Sequence, residues 1–249
     1  HKFYLQSEAS HQQAVATLGG VGQFKSSEDI DVDNSTFREK GREYPLEGDY
    51  KAGDAPKTGG VDVETMGLAV FDGSRMVGDL DGEEATYYLM TTGEFNLSNM
   101  TFPDPVVKDR LILLSLRQAR RPRSKVEMAD GKPVISVGLT LEADILSIQS
   151  GISYEDVDKL DSLESHVESF IKNGVSRFLE RTREMGTDIC GFGSNMKGRF
   201  LTWREWESFN WLRRYKDSSF NVNVKVQIRR PGIIIRSFPG YSTEGKEEE

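Results

Sequence analysis

The chain has 249 residues, 37% of them hydrophobic and 29% charged, with a formal net charge of -8. That length holds a sizeable core or two to three small domains, and the acidic balance excludes nucleic acid as the main partner, because phosphate binding needs a dominant positive surface. Cys190 is the only cysteine, which excludes an internal disulfide and a thiolate metal cage; no apolar run approaches the roughly 18 to 20 residues needed to span a bilayer, and no charged-then-apolar secretion signal opens the sequence.

The sequence begins at His1, inside a polar segment, and is expected to be a piece of a longer protein. Residues 1–62 are poor in large apolar side chains and predict a short strand or two followed by a long loop. The stretch Gly41 to Gly60, with Pro45 and Pro56, reads as a linker, which places a boundary near Gly60. A small hairpin-helix module is expected over 63–104. In it Met66–Phe71 and Ser74–Gly78 flank Asp72-Gly73, a turn pair that tolerates positive φ. Asp81 then caps a helix whose first turn holds Glu83 and Glu84 and whose end is marked by Gly93.

An α+β domain is expected over 105–249. Leu111–Leu116, Pro133–Leu141, Phe220–Arg230 and Gly232–Phe238 predict a mixed or antiparallel sheet of about four strands. The strand at Phe220–Arg230 alternates cleanly, with Phe220, Val222, Val224, Val226 and Ile228 on one face. A helical region beginning near Ser153 carries Leu160, Leu163, Val167, Phe170, Ile171, Gly174, Phe178 and Met185 along one stripe. Such a stripe packs on a sheet. The fold class is therefore α+β, built of small stacked modules, with a long amphipathic helix across the C-terminal sheet.

Few residues point to chemistry. Asp29, Asp31 and Asp33 alternate like calcium ligands, but Asn34 replaces the turn glycine and Lys40 the bidentate glutamate. The glycine runs at 19–22 and 191–193 miss the spacing of a dinucleotide loop. His1, His11 and His166 share no ligand spacing with one another or with Cys190, which reads as a small buried side chain. No nucleophile, base and orienting group can be assembled, so no enzyme, no cofactor and no metal site is expected.

Two groups remain. Arg117, Arg120, Arg121, Arg123 and Lys125 form a basic cluster in an acidic chain. It is either a solvated loop between strands or a contact for anionic headgroups or an acidic partner. Trp203, Trp206 and Trp211, with Phe209, Leu212 and Tyr215, gather on one expected helix and serve either the core or an exposed docking face.

Four blocks in order resemble the Ger(x)C family, the C-subunit lipoproteins of bacterial spore germinant receptors. They are Gly67–Leu80, Asp130–Val137, Asp188-Ile-Cys-Gly-Phe-Gly193 and Val222–Ile234. The resemblance implies a non-enzymatic subunit, required for assembly and signalling in spore germination. It would lie on the outer surface of the spore inner membrane with the receptor A and B subunits. Family members begin with a lipid-modified cysteine and an N-terminal domain; Cys190 is internal and cannot be that cysteine. The lipid anchor is therefore expected on the parent protein and not in this chain. An alternative from another class is a module that captures the germinant or another solute itself, for which a pocket with convergent polar groups is the mark.

Overall fold

The structure, a computed structural model, describes residues 14–21, 40, 46–52, 63–107, 109–154 and 156–229. The Asp29–Asp33 loop and the expected strand at Gly232–Phe238 lie outside the described residues. The fold is α+β, with two sheets and a long helix.

The first sheet has the order β1-β2-β3, from Ala14–Val21, Val63–Asp72 and Arg75–Leu80, all antiparallel. Strand β1 thus reaches across the expected linker to pair with β2. Between β2 and β3, Asp72 pairs with Arg75 and the turn consists of Gly73 and Ser74. Only Gly73 there has positive φ, at 60°. The turn with two left-handed residues is Asp130-Gly131, φ 51° and 77°, which joins the two longest strands.

Helix α1, Gly82–Thr92, starts as its sequence dictates. Asp81 accepts the Glu84 amide, the Glu84 carboxylate accepts the Asp81 amide, and Gly93 closes the helix in the left-handed region. Glu83 and Glu84 are buried and not merely first-turn charges in solvent. The Lys40 ammonium joins Asp49, Asp81 and Glu83 at 2.7, 2.8 and 2.9 Å, tying the turn at Glu47–Asp49 to the start of α1.

The second sheet has the order β4-β5-β6-β7, from Leu97–Pro103, Leu111–Ala129, Lys132–Ile148 and Ser219–Arg229. Its β6–β7 pair is parallel and the others antiparallel. The basic segment expected to be a loop is continuous strand: β5 runs through Arg117–Lys125 with register shifts between Gln118 and Arg120 and between Arg120 and Arg123. Pro122, which has no amide to give a ladder, sits in the second irregularity.

Helix α2, Val157–Met185, begins four residues later than the sequence indicates. Tyr154 is held outside it, its hydroxyl donating to Asp104 at 2.8 Å. The helix buries Leu160, Leu163, Val167, Ile171, Val175, Phe178 and Leu179 in the core and packs chiefly against β7. Each such aliphatic or aromatic side chain contributes about 1.5–3 kcal/mol relative to exposure. Gly174 gives passage to α1: a Cβ there would lie 2.2 Å from the Tyr87 hydroxyl oxygen.

The expected tryptophan helix is two, α4 at Trp203–Phe209 and α5 at Trp211–Tyr215, following the short α3 at Gly193–Lys197. The break is at Asn210, φ 48°, whose side chain caps α5 through the Arg213 amide.

Candidate interaction surface

The five basic residues of β5 have different fates. Arg117 is bound on the outer face of the sheet, its guanidinium donating to Glu142 at 2.9 and 2.7 Å while Arg229 reaches the same oxygen at 2.5 Å. The hydrogen bonds from Arg117, with Arg229 beside it, hold the Glu142 carboxyl below its ordinary range. Arg120, Arg121 and Arg123 stand exposed on the bulged stretch. Lys125 is exposed and paired with Glu127 at 2.7 Å. Arg123 and Lys125 also line a shallow groove of about 360 Å³ with Ser136 and Gly138 of β6 and Asn221 and Asn223 of β7. A groove with cations on one side and amides on the other accepts anionic or amide-rich groups.

The tryptophans divide the same way. Trp206 and Trp211 are 1% exposed and belong to the core, which removes both from any contact surface. Trp206 packs on Phe200 and Phe209, and the Trp211 Nε1 donates to Asp188 at 2.6 Å. Trp203 is 46% exposed, with Lys197 4.9 Å above its ring and its Nε1 donating to Glu207. Asn195 of α3 donates to the Ser124 hydroxyl at 2.8 Å, so the helical corner is fastened to the bulged half of β5.

Asp188 is the residue whose role sequence reasoning missed. It is fully buried, and its carboxylate accepts from the Phe192 and Gly193 amides and from Trp211. Burial pushes its carboxyl up, against the pull of those donors. The block Asp188–Gly193 is therefore a structural turn: a Cβ on Gly193 would lie 2.6 Å from the Trp211 ring. Cys190 is partly buried and packs against the core. Burial, with Asp188 nearby, pushes its thiol up and away from reactivity. His166 lies on α2, half-buried, and burial lowers its pKa.

A second concavity, of about 390 Å³, opens between the Glu47–Asp49 turn, α1, β4 and α2. Leu46, Met66, Met100 and Phe170 give it apolar walls, and Thr86, Ser98 and Asn99 give it polar ones. Among the described residues no group of His, Cys, Asp and Glu could hold a metal ion. No helix among them is long and apolar enough to cross a membrane.

The family model described as "Spore germination B3/ GerAC like, C-terminal" matches residues 66–232, more than half of the chain. The chain belongs to this spore germination family. The blocks at Gly67–Leu80, Asp130–Val137 and Asp188–Gly193 fall in the matched region, and the block Val222–Ile234 falls in it as far as Gly232. Among solved structures, that of the GerBC protein is similar, with a TM-score of 0.58 and 16% identity. The likeness covers 68% of this chain and 53% of that one. At that identity the fold alone is shared. The chain thus spans about half the length of the GerBC protein. Comparison with curated proteins gives no match.

Proposed function

We propose that this chain is the C-terminal part of a non-enzymatic subunit of a nutrient germinant receptor, needed for receptor assembly and signalling during spore germination. The observation that carries the reading is the family match over residues 66–232. The parent protein works on the outer surface of the spore inner membrane beside the A and B subunits, held by an N-terminal lipid anchor. One acyl chain binds a membrane only marginally, so further contacts must help to hold it.

The chemistry of the buried carboxylates supports a scaffold. Asp81, Glu83, Glu84, Asp104 and Asp188 are each engaged in bonds that fix turns, caps or strand ends. Arg120, Arg121, Arg123 and Lys125 offer cations to partner subunits on the strand that the rest of the sheet supports. The test is charge reversal of Arg120 and Arg121 in the full-length protein, read as the amount of A and B subunit recovered with it from spores. Reduced recovery at unchanged protein level supports the reading, and undiminished recovery removes this surface from it.

The cavity of about 390 Å³ favours a second reading, in which the domain itself captures a small germinant. Calorimetric titration with the nutrients that trigger the parent spores tests it. Heat of binding that disappears in Met100→Trp, which fills the cavity, would establish capture; no heat with any of them would discard it.

A further inference from the structure

Leu201 is 96% exposed, the most exposed large hydrophobic residue described, and Trp203 two positions later is 46% exposed. Both project from the corner between α3 and α4. The corner is braced by contacts on its inner side. Phe200 beneath Leu201 packs on Trp206 and Phe209 at 5.5 and 4.9 Å, Thr202 caps α4, and the Glu205 carboxylate accepts the Leu201 amide. Exposed leucines are common singly and mean little. An exposed leucine and a half-exposed tryptophan two residues apart on a braced turn form a small apolar tip.

The charge around the tip runs against that of the chain. Between Asp188 and Glu205 the sequence carries Lys197, Arg199 and Arg204 and no carboxylate, in a chain of net charge -8. Lys197 lies over the Trp203 ring and Arg199 donates to the Val126 carbonyl at 3.1 Å, so both cations are held beside the turn. Arg213, Arg214 and Lys216 follow in the sequence, against Glu205, Glu207 and Asp217, and Glu127 of β5 lies within electrostatic reach of Arg199. Glu205 and Glu207 have local tasks, one capping α4 and the other accepting the Trp203 Nε1.

We propose that the Leu201–Trp203 turn inserts into the interfacial layer of an anionic lipid bilayer, with Lys197, Arg199 and Arg204 on the headgroups. Tryptophan favours the depth where apolar chains meet polar headgroups, and the basic residues can keep their charge in water while their stems follow the apolar surface. Because Trp203 already gives its N–H to Glu207, insertion strands no donor. Two exposed apolar side chains ringed by cations fit lipid better than a protein: a stable protein interface needs roughly 1,000 Å² or more of complementary surface, whereas an apolar tip with a basic rim needs only headgroups. The inference stands on this surface alone and does not require the receptor reading.

The test is sedimentation of the chain with vesicles of phosphatidylcholine alone and of phosphatidylcholine with phosphatidylglycerol, at low and high salt. Binding is expected only to the anionic vesicles and to weaken with salt. Leu201→Asp with Trp203→Ser should lower it by about tenfold or more, and Lys197→Glu with Arg204→Glu by a similar factor. These side chains are on the surface, so thermal melts of the variants serve as the folding check. Trp206 and Trp211 are buried, so quenching of tryptophan fluorescence by brominated lipid reports Trp203 and should vanish in the Trp203 variant. Absence of binding to anionic vesicles, or binding indifferent to both variant pairs, would overturn the proposal. So would equal binding to neutral vesicles.

Discussion

Asp104 and Asp188 are both buried carboxylates, and their surroundings push them in opposite directions. Asp104 accepts from the Val106 and Val107 amides, Ser150 and Tyr154, and pins the β4–β5 connection to the loop before α2. Burial raises its carboxyl, but those four bonds outweigh it and the net shift is downward. Its contribution to stability is therefore complete above the unfolded-state value of about 3.9 and is lost as pH falls through the lower folded-state value. Asp104→Ala should destabilise by about 2–4 kcal/mol, and denaturant titrations from neutral to acid pH should show a shallower acid loss than in the parent. For Asp188 the geometry matters more than the charge. Asp188→Asn replaces one carboxylate oxygen by an NH₂ that faces at least one of the three N–H donors, and should cost about 1–3 kcal/mol by the same measurement. At Lys40, burial favours the neutral amine, but Glu83, Asp81 and Asp49 more than reverse this and raise its pKa. Its contribution is full below about 10.4 and is lost as pH rises through the higher folded-state value. Lys40→Met should cost about 3–5 kcal/mol at neutral pH, read by chemical denaturation, since it leaves three carboxylates crowded without their cation.

Among the elements, the alternating strand β7, the stripe of α2 and the capped α1 were legible because period, cap and stop residue all agree. Strand β4 was not: Leu-Ser-Asn-Met-Thr-Phe-Pro lacks a period, and its pairing with Leu111–Arg117 makes it a strand. Nor could sequence distinguish loop from strand at Arg117–Lys125, where charge looks like solvent and the bulge lets the ladder continue past Pro122. The tryptophans were legible as a cluster but not as a division into core and surface, because the left-handed Asn210 that redirects the chain leaves only a weak mark. The role of Asp188 needs Trp211 and the Phe192 and Gly193 amides brought together, which no local pattern displays. One device lies between elements. Glu168 and Glu164 of α2 accept the Val226 and Ile228 amides at 3.1 and 2.7 Å, occupying edge donors of β7 that a foreign strand would otherwise use. Glu164→Lys with Glu168→Lys should increase concentration-dependent self-association, measured by sedimentation velocity. At the α1–α2 crossing, Gly174→Leu collides with the Tyr87 ring and should cost about 1–3 kcal/mol or prevent folding.

On the scale of the whole molecule, two sheets and α2 share one core that runs from Val70 and Leu80 to Ile228, and the carboxylates buried in it fasten turns and caps. What faces outward is a bulged basic strand and a braced apolar corner, surfaces suited to contact. The family, the fold and this distribution of chemistry meet in the proposed receptor subunit. Its central claim is company: the parent protein works in a complex. The most direct measurement is affinity purification of the tagged full-length parent from detergent-solubilised spore membranes, with the co-purifying proteins identified by mass spectrometry. Recovery of a polytopic membrane protein together with a second receptor subunit is the predicted result. Recovery of the parent protein alone, from membranes in which the other subunits are present, would contradict the account and shift weight to a module that captures the germinant by itself.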